Sequence, residues 1–149
     1  MGPHMPTRPV RITLVEDHAP DVFLVQKALR DNQVDFQLTR FEDGEQALRE
    51  LRRRDPGAPE IPDVLILDLN VPKIDGIGML RAIRKDPALA KIPIAILTSS
   101  RAPQDKVDAI SSGADRFITK PVDLQSFVRI VGGNIRALIE ESAKEEARS

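Results

Sequence analysis

Carboxylates, a hydroxyl and an ammonium stand in this chain directly after short apolar runs. Glu16 and Asp17 follow VRITLV, Asp68 follows VLIL, Thr98 closes IPIAILT, and Lys120 follows RFIT. If those runs are neighbouring parallel strands, their C-terminal ends share one rim, and residues far apart in sequence meet there. Three carboxylates crowded together repel one another unless a cation intervenes. Lys120 offsets about one charge, so a divalent metal completes the set. An all-oxygen donor set with room for water suits Mg²⁺. A metal and an ammonium beside a carboxylate make an electrophilic pocket for a phosphoryl group. Asp68 is then the nucleophile, forming an acyl phosphate, with positioning and charge neutralisation doing most of the catalysis.

The elements that must hold these residues follow from the pattern of the chain. Val64 to Leu67 is an unbroken apolar run, the habit of a central parallel strand covered on both faces. Strands are expected at Val10 to Val15, Asp35 to Phe41, Val64 to Leu67, Ile92 to Thr98 and Arg116 to Thr119. Between them lie helical stretches. Pro20 suits the first turn of one, with Val22, Val25, Ala28 and Leu29 at helical spacing. Asp43, with Gln46 three residues on, reads as the cap of a second. Gly76 to Lys85 carries Met79, Leu80 and Ile83 inward. Pro103 opens a fourth, with Val107 and Ile110 inward and Gly113 at its end, and Asp123 caps a fifth. Five strand–helix alternations call for an α/β fold, a doubly wound, flavodoxin-like five-stranded parallel sheet in the order 2-1-3-4-5 with helices on both faces.

Length and composition fit one domain: 149 residues, 41% hydrophobic, 30% charged, formal net charge −1. That balance gives no electrostatic footprint for nucleic acid, and no apolar run approaches the roughly 20 residues that span a bilayer. With no cysteine, disulfide and thiol chemistry are excluded. No signal peptide is visible, so a cytoplasmic protein is expected. Residues 1–5 (MGPHM) read as an expression-vector remnant, residues 6–140 as the folded domain, and residues 141–149 as a polar tail.

Taken together, Glu16-Asp17, Asp68 with Pro72 and Asp75-Gly76, Thr98, and Lys120-Pro121 resemble the motifs of a response-regulator receiver domain, over about Val10 to Leu138. The resemblance implies that Asp68 accepts a phosphoryl group from the phosphohistidine of a sensor kinase. It implies Mg²⁺ ligation by Asp17, Asp68 and the Asn70 backbone carbonyl, with Glu16 acting through a bound water. Lys120 would pair with Asp68 or the phosphoryl oxygens, and the Lys120-Pro121 bond would be cis. Thr98 and Phe117 would be the switch pair; Phe117 replaces the tyrosine of many members and cannot donate a hydroxyl hydrogen bond. The long loop Asp55 to Pro62 and the run DLNVPKIDG look like those of regulators serving phytochrome-type kinases.

With only a polar tail after the last helix, a stand-alone regulator acting on a protein target is expected. The resemblance implies a chain that catalyses its own phosphorylation and dephosphorylation, and no metabolic reaction is expected of it. A receiver that binds partners without phosphorylation is the alternative. A flavodoxin-like cofactor binder is disfavoured because the acidic EDHAP after strand one cannot cradle phosphate. A dehalogenase-type phosphatase would need a carboxylate at position 70, which is asparagine. His18 reads as a solvent-facing loop residue, and Arg52 to Arg54 as a solvated helix end. In the last helix, Leu124, Val128, Val131, Ile135 and Leu138 form a narrow apolar seam whose distal end could pair two protomers. Gly132-Gly133 interrupts that seam, so a bend or break is expected there.

Overall fold

A computed structural model describes residues 5–148, with side chains through residue 146. The proposed vector remnant therefore lies outside the described residues except for Met5. The chain runs β1 (Val10–Val15), α1 (Ala19–Asp31), β2 (Phe36–Phe41), α2 (Gly44–Arg52), β3 (Val64–Leu67), α3 (Gly76–Lys85), β4 (Ile94–Thr98), α4 (Pro103–Ser111), β5 (Arg116–Thr119) and α5 (Leu124–Arg148). All strand pairs are parallel, in the order β2-β1-β3-β4-β5. β4 starts two residues later than expected, since Pro93 has no N–H to give the ladder.

The apolar run of β3 is explained by two cores. Val64 and Ile66 pack with Val25, Leu29, Val131 and Ile135 of α1 and α5 on one face. Leu65 and Leu67 pack with Ala47, Leu48, Met79 and Leu80 of α2 and α3 on the other. Alternation along the strand thus persists, but both faces are dry. Burying each such side chain contributes up to ~1.5–3 kcal/mol, so β3 anchors the sheet and fixes where Asp68 emerges. Asp43 and Asp123 cap their helices as expected, accepting from the N–H groups of Gln46 at 2.7 Å and Ser126 at 2.8 Å.

Three expectations are corrected. First, α4 turns Val107 and Ile110 outward, 58% and 46% exposed, and buries Ala109 instead. The small residue lets the helix lie close to the sheet, and the two larger ones stay at the surface. Second, α5 is continuous through Gly132-Gly133 to Arg148. Gly132 is the point of closest approach to α1: a β-carbon there would stand 2.5 Å from the Ala28 carbonyl oxygen and collide with the Asn32 side-chain amide. Along this helix Val131, Ile135 and Leu138 of the seam are buried in the α1–α5 core, and Leu124 at its start is exposed. Third, no cis peptide bond occurs among the described residues, so Lys120-Pro121 is trans, the favoured isomer even before proline.

Candidate functional site

Ladder hydrogen bonds extend past the strand ends and bring the chemical groups to one rim. Glu16 N–H donates to Phe41 O at 3.0 Å, Asp68 N–H to Val15 O at 3.1 Å, and Lys120 N–H to Thr98 O at 2.8 Å. Each of these backbones is thus held by the strand beside it. Beyond Asp68 the chain turns sharply, and Gly76 packs on that turn. A β-carbon at Gly76 would meet Leu69 Cα at 2.6 Å and Asp68 O at 2.9 Å, which explains the Asp75-Gly76 pair. Lys73, in the same loop, takes φ +73°, a conformation costly for a residue with a side chain.

At the centre sits the Lys120 ammonium. It donates to Asp68 Oδ2 at 2.9 Å, to Glu16 Oε1 at 2.7 Å and to Asp21 Oδ2 at 2.7 Å. An ammonium has three N–H groups, and all three are engaged. Burial opposes its charge, but the hydrogen bonds it donates to Asp21, Glu16 and Asp68 outweigh this and raise its pKa above the ordinary lysine value. Glu16 is pushed the other way from most carboxylates. Burial first, then the Asp68 charge, raise its pKa despite the Lys120 hydrogen bond. Asp68 is buried, and its Oδ1 accepts the Asn70 N–H at 3.0 Å. Thr98 is fully buried, its Oγ1 accepting from Ser100 N–H at 3.2 Å. Phe117 is half-buried against the α2–α3 core.

Glu16, Asp68 and Lys120 therefore meet directly. Asp17 lies next to them in the chain, exposed at the end of β1, and its carboxylate does not join the ammonium. His18 is exposed, as expected, with Nδ1 3.2 Å from Asp21 Oδ2. Two participants were missed from the sequence. Asp21 belongs to the first turn of α1, which opens directly behind the acidic pair Glu16-Asp17; an acid that close after the end of β1 was the available signal. Arg40, near the end of β2, donates to the backbone carbonyls of Glu16 at 3.0 Å and Asp17 at 3.1 Å, steadying the acidic pair. A charged residue inside a strand was its only hint.

The donor chemistry suits a hard dication: oxygen atoms only, and more negative than positive charge. Among the described residues, however, no three acidic or histidine side chains are assembled for metal holding, and the carboxylates converge on Lys120 instead.

Comparison with known proteins agrees with this geometry. The family model described as "Response regulator receiver domain" matches residues 12–132. The response regulator Rcp1 of Synechocystis sp. is 33% identical over 127 residues, covering 84% of this chain and 86% of its own. Among solved structures, the phosphorylated cyanobacterial phytochrome response regulator RcpA superposes with a TM-score of 0.82 at 32% identity, covering 90% of this chain and 96% of its own. The Mn²⁺-bound form of Rcp1 gives a TM-score of 0.76 at 33% identity, covering 84% and 91%. With its sheet order, its rim of acids around one lysine and these matches in agreement, the chain belongs to the response-regulator receiver domain family.

Proposed function

We propose that Asp68 accepts a phosphoryl group from the phosphohistidine of a sensor kinase. The observation that carries this reading is the buried Asp68 carboxylate held 2.9 Å from Lys120 Nζ at the C-terminal rim of the sheet. In the transfer, an Asp68 oxygen forms a bond to phosphorus while the nitrogen–phosphorus bond of the donor breaks, and the histidine nitrogen keeps the electron pair. Asp17, Asp68 and the Asn70 carbonyl would hold Mg²⁺, with Glu16 acting through water. The bound ion supplies positive charge against the phosphoryl oxygens. Lys120 supplies the remaining neutralisation from within the chain, and the N–H of Asn70 keeps the Asp68 carboxylate oriented.

Thr98 and Phe117 form the output pair. Thr98 exchanges its Ser100 contact for a phosphoryl oxygen, and Phe117 shifts toward the space this opens. Such couplings are typically worth ~1–3 kcal/mol. The description of RcpA as a cyanobacterial phytochrome response regulator supports a phytochrome-type kinase as donor; the reading is completed by a small cytoplasmic regulator acting on a protein target. Self-association, if it follows, uses the exposed Val107, Ile110 and Leu124, the one exposed end of the seam, rather than its buried distal residues; sedimentation as a monomer at tens of micromolar removes it. Incubation with acetyl phosphate and Mg²⁺ is expected to add one phosphoryl mass, absent in Asp68→Asn. Equal labelling of that variant overturns the assignment.

A further inference from the structure

We propose that Asp21 is a positioning residue for Lys120, and that a phosphoryl oxygen arriving at Asp68 must displace it from the ammonium. The inference rests on the phosphoacceptor reading of Asp68 and adds a competitor to it. Lys120 Nζ has three N–H groups and three carboxylate partners, at 2.7, 2.7 and 2.9 Å. A new anionic acceptor therefore cannot bond to the ammonium until one of the three lets go.

Exposure decides which one leaves. The Glu16 side chain is 2% exposed, and its second oxygen accepts the His18 N–H at 3.2 Å, so releasing it would strand a buried charge. Asp68 is the site of transfer and is 9% exposed. The Asp21 side chain is 18% exposed. Its other contact is His18 Nδ1 at 3.2 Å, on a side chain 62% exposed. Asp21 can turn to water at the smallest desolvation cost. Its charge also opposes a second anion at the same ammonium while favouring a cation. One residue thus acts with opposite sign on the two ligands of the site. Its release would also loosen the first turn of α1, where Asp21 and His18 meet, so occupancy of the rim is communicated to that helix.

The test uses the full chain and two titrations by calorimetry: Mg²⁺ alone, and beryllofluoride, a phosphoryl mimic, at saturating Mg²⁺. Asp21→Asn is expected to bind beryllofluoride about tenfold more tightly, one tenfold step being 1.4 kcal/mol, because a charge-assisted competitor has been removed. It is expected to bind Mg²⁺ several-fold more weakly. A merely structural loss would weaken both ligands together, so tighter anion binding with weaker cation binding supports the proposal. Beryllofluoride affinity within twofold of wild type, or weaker, overturns it. Asp21→Ser, with melting curves for both variants, serves if the first folds poorly. Wild-type protein that neither binds beryllofluoride nor labels at Asp68 sinks the phosphoacceptor reading and this proposal with it. Normal wild-type behaviour with an unaltered Asp21→Asn sinks only the role of Asp21.

Discussion

Adjacent glycines in α5 should respond oppositely to the same substitution. At Gly132 a methyl group would stand 2.5 Å from the Ala28 carbonyl oxygen of α1 and would collide with the Asn32 amide. That amide donates to Ala28 O at 2.8 Å and Val128 O at 2.9 Å, tying α1 to α5. The side chain of Asn32 can swing away, at the loss of two hydrogen bonds of ~1 kcal/mol each. The Ala28 backbone cannot, so the helices must part, an overpacking cost of ~1–3 kcal/mol. Against this, alanine favours the helix by ~1 kcal/mol. The net for Gly132→Ala is a loss of about 2–4 kcal/mol. At Gly133 nothing lies within 4 Å of the added carbon, so only the helix term remains and Gly133→Ala should gain ~0.5–1 kcal/mol. With a urea slope of ~2 kcal/mol/M, the midpoint falls by ~1–2 M in the first variant and rises by up to ~0.5 M in the second. Equal midpoints, or shifts of the same sign, would refute the close-approach argument.

Other consequences can be checked together. Lys120→Met leaves Glu16, Asp21 and Asp68 facing one another without their cation, and a loss of about 3–5 kcal/mol is expected in metal-free buffer. Added Mg²⁺ should recover more stability in that variant than in wild type, as read by thermal melts. Chelation should abolish acetyl phosphate labelling of Asp68; labelling that persists without metal discredits the ligand scheme. Asp63 bears on acid stability. Burial opposes its charge, but two Arg8 hydrogen bonds and the Arg11 N–H hold its pKa below the ordinary 3.8. A carboxyl with a depressed folded value stabilises the fold above 3.8, and that contribution is lost as pH falls through the folded value. Asp63→Asn should therefore be less stable at neutral pH, and its denaturation curve should converge with wild type on acidification below 3.8. Lys120 has the opposite sign. Its raised value means the ammonium's own contribution is fully present below the ordinary 10.5 and is lost as pH rises through the folded value, so Lys120 itself adds no slope to the stability curve around neutrality.

Much of the rim was legible because the strands announce themselves. VLIL and IAILT are too apolar and too short for anything but covered strands, and a polar residue directly after such a run has one place to go. Glu16, Asp68 and Lys120 met as expected for that reason. What remained hidden depended on neighbours rather than on residue type. Val107 and Ile110 look inward by spacing, yet the sheet takes the smaller Ala109 beneath α4. Gly132 looks like a helix breaker until Ala28 and Asn32 are seen against it. Asp21 looks like an ordinary acid at a helix start, favoured there by the helix dipole, and only its 2.7 Å contact with Lys120 gives it a place in the site.

The wide sequence separation of the ammonium from its acids has a consequence for how the chain comes into being. Glu16 and Lys120 are 104 positions apart, and Asp68 precedes Lys120 by 52. A nascent chain emerging from the ribosome exposes all three acidic partners before their internal counter-charge has been made. Lys120, made directly after β5, supplies that counter-charge, while the core beneath the rim still waits for Phe127, Val131 and Ile135 of α5.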